Sequence, residues 1–147
     1  MEARSTVWTE AVAALPGTTL FQPPVSEPAL LRCATVLGHA LPTDLTALLR
    51  ESDGIEDEYG DGLIWSAEQI TAENRNLRGD AAFSTLYMPF DPLLFFADAG
   101  NGDLFALLAR IDRPDVFVWN HEDDSRTWVA PRLATYLEWR LTGKFEL

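Results

Sequence analysis

Apolar residues recur three and four positions apart along two early stretches, and this spacing predicts helices. Between Glu27 and Leu37 the inward stripe reads Leu30, Leu31, Ala34 and Leu37, with Gly38 at the stop position. Pro42 suits the first turn of a second helix, whose stripe is Leu45, Leu48 and Leu49 and which Gly54 closes. A weaker pattern over Ser5–Leu15 places Trp8, Ala11, Val12 and Leu15 on one face, and Pro16-Gly17 ends it.

The pattern then shortens. Leu63-Ile64-Trp65 reads as a short strand. Ser66 with Gln69 forms a capping-box pattern that predicts a helix over Ala67–Asn74. Residues 75–88 give no firm period, with a weak strand near Thr85–Met88. Two apolar runs within Asp91–Leu107 flank Gly100-Asn101-Gly102, a turn in which Gly and Asn reach positive φ without a steric penalty, so the segment predicts a β-hairpin. Val116–Trp119 is wholly apolar, as a buried strand would be. His121–Arg126 is a polar turn before a strand at Thr127–Ala130. Pro131–Thr142 reads as a last helix with Leu133, Tyr136, Leu137 and Leu141 on one face. Helices, then adjacent short strands, then a closing helix predict an α+β fold with antiparallel pairing.

At 147 residues the chain forms one domain, 1–147, large enough to bury a core without staples. Charge narrows the choice of partners. With 23 acidic and 11 basic residues the net charge is −12, so phosphate backbones and anionic membranes should repel the chain. Basic proteins or peptides are its natural electrostatic partners. Cys33 is the only cysteine and permits no internal disulfide. The N-terminus carries no apolar signal segment, and apolar runs such as Leu104–Ala109 are far too short to span a membrane. A soluble cytoplasmic protein is expected.

The motifs resemble the SUKH superfamily, which includes bacterial immunity proteins and the yeast cell-wall-synthesis regulator group. Leu41-Pro42-Thr43-Asp44-Leu45 through Leu48-Leu49 and Ser52-Asp53-Gly54 is similar to its Leu-Pro opening, leucine-rich helix and terminal Gly. Ile64-Trp65-Ser66 with Glu68-Gln69-Ile70 is similar to its strand and helix start. Phe95-Phe96-Ala97-Asp98 with Gly100–Phe105 is similar to its central hairpin. Val116–Glu122 and Tyr136–Trp139 fall where the family has its later strand and closing helix. Residues 1–26 match nothing there and are read as an N-terminal extension; residues 75–90 also lack a counterpart. The resemblance implies a twisted antiparallel sheet with helices packed mainly on one side and no enzymatic activity. It also implies toxin-neutralising immunity proteins, often against nucleases, or interaction scaffolds.

The candidate partner-binding residues are Glu51, Asp53, Glu56, Asp57, Glu58, Tyr59, Asp61 and Trp65. No Lys or Arg lies between Glu51 and Glu73, and aromatics stand inside and just after the acidic run. Such a segment suits a basic partner, because charge steers encounter and aromatics supply buried contact area. It also suits a solvated loop that only aids solubility. Asp98–Asp103 is superficially similar to a calcium loop but lacks the glutamate at the twelfth position. His121–Asp124 reads as a polar turn, since adjacent residues rarely converge on one metal. Cys33 on an apolar helix reads as core. No Gly-x-Ser-x-Gly or phosphate-cradling Gly-rich loop is present, so no catalytic residue, metal or cofactor is expected. Trp119 and Trp139 read as core, whereas Trp8, Trp65 and Trp128 stay open to a carbohydrate-stacking alternative. The expected function is neutralisation of a basic toxin domain. The rival is a scaffold of the same fold, and a carbohydrate-binding protein or enzyme comes third.

Overall fold

A computed structural model describes residues 6–80 and 87–145. Its described elements are five helices and seven strands: α1 Val7–Ala13, β1 Thr19–Phe21, α2 Glu27–Leu37, α3 Thr43–Glu51, β2 Ile55–Asp57, β3 Gly62–Ile64, α4 Ala67–Gly79, β4 Leu93–Asp98, β5 Leu104–Leu108, β6 Val116–Trp119, β7 Arg126–Ala130 and α5 Leu133–Leu141. The fold is α+β, and every strand pairing is antiparallel.

The strands form two sheets rather than the single one expected. The smaller runs β1-β2-β3 and the larger β4-β5-β6-β7. Their seam lies at a bulge in β4. Phe95 pairs with Ala106 and Ala97 with Phe105, which leaves Phe96 outside the ladder. Its carbonyl accepts the Trp65 N–H at 2.8 Å. The hairpin of β4 and β5 therefore sits between the small sheet and β6, in the middle of the strand array.

Hairpin and core follow from the apolar pattern. Gly100 and Gly102 take φ of +87° and +97°, as the turn requires. Leu93 to Ala97 are all buried, so β4 is covered on both faces. Phe95 packs edge-on against Phe90 and Trp119, while Phe96 and Phe105 pack on Tyr136 of α5. Complete burial of one such side chain contributes about 1.5–3 kcal/mol. In β6 only Val116 and Trp119 are buried; Phe117 and Val118 are half-buried, so this strand is less enclosed than its run of apolar residues suggested.

Among the helices, α3 buries Leu45, Leu48 and Leu49 as its period demands. In α2 the inward residues are Leu30, Cys33 and Leu37. Leu31, expected inside, is 70% exposed, and Cys33 takes the buried place. The Thr71 hydroxyl donates to the Cys33 sulfur at 2.8 Å. Helix α4 continues to Gly79, beyond the expected Asn74, because its buried Ile70 and Asn74 seat it on β4. Helix α2 packs on α4, so it forms an outer layer above the hairpin. Tyr87 and Met88 are not in a strand; the rest of that expected element lies outside the described residues.

Candidate functional site

The small sheet carries the acidic run, and its position follows from anchors at the end of α3. The Ser52 hydroxyl accepts the Gln22 N–H at 2.8 Å and donates to the Gly54 carbonyl at 2.7 Å. The Asp53 N–H donates to the Pro23 carbonyl at 3.0 Å. These bonds hold the chain just after β1 against α3, so β1 pairs with β2 at Thr19–Asp57, Leu20–Glu56 and Phe21–Ile55. Gly54 takes φ of +100°, and a Cβ there would lie 3.0 Å from the Ser66 nitrogen, so only glycine lets β2 start this close to the β3–α4 turn.

Residues Ile55–Asp57, expected as loop, form β2. Ile55 is fully buried, which anchors the strand although its neighbours are acidic. Asp57 then organises the turn to β3. Its Oδ1 accepts the N–H groups of Tyr59 and Asp61 at 2.8 and 2.9 Å. Glu58 and Tyr59 project outward as a result, Tyr59 being 82% exposed. The Asp61 carboxylate is half-buried beside Gly100, so the β2–β3 turn lies against the hairpin turn.

Besides Asp57, three more of the eight candidate residues hold the fold with the groups proposed for contact. The buried Glu51 carboxylate accepts the Trp8 and Thr9 N–H groups at 2.9 and 3.0 Å and so caps α1, whose own Thr6 supplies no side-chain cap. Asp53 Oδ1 accepts the Ala67 N–H at 2.8 Å at the start of α4. Trp65 is buried, and its indole N–H donates to Asp98 Oδ2 at 3.0 Å. Glu56, Glu58 and Tyr59 are the exposed members of the set.

The exposed face has an apolar part absent from the candidate set. Leu20 is 51% exposed and pairs with the exposed Glu56, whereas Phe21, 37% exposed, pairs with the buried Ile55 on the opposite face of the sheet. Thr18-Thr19-Leu20-Phe21 between Pro16-Gly17 and Pro23-Pro24 is a strand signal that could have revealed them. Beside them a cleft of about 450 Å³ is lined by Gln22, Pro23, Asp53, Glu56, Trp65 and Gln69, among others. Its two carboxylates and two amides suit a cationic side chain.

The other sequence features resolve into supports. His121 Nδ1 lies 2.6 Å from Asp103 Oδ1, and its backbone N–H donates to the same oxygen at 3.1 Å, which clamps the β6–β7 turn onto the hairpin turn. Among the described residues no three His, Cys, Asp or Glu side chains are grouped to hold a metal, and no helix is long and apolar enough to cross a membrane. Trp119 is buried, Trp8 and Trp139 are half-buried, and Trp128 is 49% exposed.

Element order, antiparallel sheets and packing define an α+β domain with a small acidic sheet set beside a larger apolar one. The family model described as SUKH_6, SMI1-KNR4 cell-wall, matches residues 34–137, and the chain belongs to that family. Helix α1 and strand β1 lie outside the matched span. A search of curated proteins finds no match.

Proposed function

We propose that this chain is a non-enzymatic, cytoplasmic protein-binding domain whose small-sheet face binds and neutralises a basic toxin domain. The observation that carries the reading is the composition of that face. Leu20 and Tyr59 are exposed apolar side chains beside Glu56 and Glu58, and residues 51–73 contain no basic residue. Exposed aromatic and aliphatic groups supply contact area, and the carboxylates speed encounter with a positive surface. A nuclease must carry such a surface to hold phosphates, so covering it would block the enzyme. Family membership supports an immunity-type protein and equally an interaction scaffold like the cell-wall regulators that name the family.

Two steps test the reading. The full chain is used to co-purify its partner from the native host, and affinity is then measured with Glu56→Lys/Glu58→Lys and with Tyr59→Ala. Neutralisation predicts a basic partner whose enzymatic activity disappears in the complex. The charge reversal should weaken binding at least tenfold, and rising salt should slow association, since screening acts over about 10 Å at 0.1 M ionic strength. Unchanged affinity in both variants would remove the face from the interface. A partner without activity of its own would favour the scaffold.

A further inference from the structure

Strand β1 is the outer strand of the small sheet, and its backbone groups divide between that sheet and solvent. In an antiparallel ladder both backbone groups of a residue point to the same side, and successive residues alternate. The Asp57 N–H donates to the Asp61 carbonyl at 3.0 Å, toward β3. Glu56 therefore turns to β1, and its pair Leu20 turns to β2. Gln22, two positions on, keeps that side, and its N–H reaches the Ser52 hydroxyl at 2.8 Å. Thr19 and Phe21 consequently direct their N–H and carbonyl groups away from the sheet. Among the described residues nothing hydrogen-bonds to those groups. Every residue from Pro16 to Pro23 is exposed except Thr19, which is half-buried, so α1 touches β1 without covering it.

An open edge of this kind is a template for any extended chain unless charge selects among them. Here charge selects. Leu20 and Glu56 stand side by side on one face of the sheet, Glu58 follows in the turn, and the whole chain carries −12. The basic side chains do not offset this at β1. Arg140 donates to the Gly62 carbonyl on β3, two strands away, and Arg50 is paired with Glu27. A second copy of the chain would bring the same negative charge to the same edge. Strand β1 lies outside residues 34–137, so this edge comes from the part of the chain that the family model does not match.

We propose that the outer edge of β1 takes an extended basic segment of the partner as a further strand of the small sheet. This mode of contact deepens the reading of the domain as a binder of a basic protein and rests on it. Thr19 and Phe21 supply the main-chain bonds, which give affinity whatever the sequence of the added strand. Selection comes from the side chains. A lysine or arginine opposite Leu20 lays its methylene stem over that residue and brings its charge to Glu56.

Hydrogen exchange of the full chain, free and with a synthetic hairpin peptide of alternating lysine and valine, tests this. The same hairpin with glutamate in place of lysine is the control. In the free chain the Thr19 and Phe21 amides should exchange faster than the Leu20 amide. Saturation with the lysine hairpin should slow Thr19 and Phe21 about tenfold or more and leave Leu20 as it was. Thr19→Pro removes one outward N–H at a position where an edge strand tolerates proline. It should weaken the lysine hairpin, and the partner co-purified from the host, by about tenfold. A partner sensitive to Glu56→Lys/Glu58→Lys but indifferent to Thr19→Pro overturns the edge and keeps the face. A hairpin held at the edge, beside a partner with no activity to block, keeps the edge and removes neutralisation. Unchanged exchange at Thr19 and Phe21, no saturable binding of the lysine hairpin below about 10 mM, or equal binding of both hairpins overturns the proposal. So does a concentration-dependent dimer that protects these two amides in the free chain, which assigns the edge to a second copy.

Discussion

Asn74 holds the Phe95 peptide by both ends: its Oδ1 accepts the Phe95 N–H and its Nδ2 donates to the Phe95 carbonyl, each at 2.8 Å. Asn74 is fully buried, and its second amide hydrogen goes to the Ile70 carbonyl at 2.7 Å. The side chain replaces a neighbouring strand at the edge of β4. Asn74→Ala should therefore destabilise the protein by about 3 kcal/mol, since two backbone groups lose their partners in a dry interior. The urea midpoint should fall with the slope unchanged. A loss below about 1 kcal/mol would show that α4 does not depend on this bond.

Glu51→Ala removes the cap of α1. The expected cost is about 1–2 kcal/mol, with faster hydrogen exchange at Trp8 and Thr9. Glu58→Ala, at an exposed turn position, should stay within about 0.5 kcal/mol. Equal effects at the two positions would contradict the division between structural and exposed carboxylates.

The Tyr136 hydroxyl donates to the Leu63 carbonyl at 2.8 Å and accepts from Arg140 Nη1 at 2.7 Å. Burial pushes its pKa up from 10.0 to about 12. The folded state thus keeps a proton that the unfolded chain releases above pH 10. Stability from this group is complete below pH 10 and declines as pH rises toward about 12. Tyr136→Phe should flatten that alkaline decline and lower stability at neutral pH by about 1–3 kcal/mol, because the buried Leu63 carbonyl loses its donor. Parallel alkaline profiles for wild type and variant would refute the assignment.

Excess chelator should leave the melting temperature unchanged, because a metal held only by the folded state would contribute to stability in proportion to its binding. A fall of several degrees that one divalent ion reverses would point to a bound metal and redirect attention to Asp98–Asp103 or Glu56–Asp61.

Much of the architecture is legible in the residues. The stripes of α2 and α3 and the turn glycines of the hairpin specify those elements because local period and core burial agree there. Where they compete, the reading slips. In α2 the stripe admits either Leu31 or Cys33, and contact with α4 selects the smaller cysteine. Strand β2 is hidden by its acids, since one buried Ile55 is too little to show alternation. Glu51, Asp53 and Trp65 sit in the acidic run by sequence, yet their partners Thr9, Ala67 and Asp98 are at least 14 positions away. No local pattern records such partners. Only Glu56, Glu58 and Tyr59 remain as sequence alone would place them, joined by Leu20.

The seam at Phe96 separates two kinds of constraint on this chain. Among the described residues, one backbone hydrogen bond, from Trp65 to Phe96, and one indole contact, from Trp65 to Asp98, join the small sheet to the large one. Such a joint does not transmit pairing register, so a slip or insertion in β1–β3 alters side-chain facing only there. The Asp57–Asp61 turn can lengthen, and Glu56 or Leu20 can change identity, without realigning β4 on β5, so long as Leu63 in β3 keeps its place over Tyr136. Lineages carrying this fold can thus diversify the face that meets a partner while inheriting the rest unaltered.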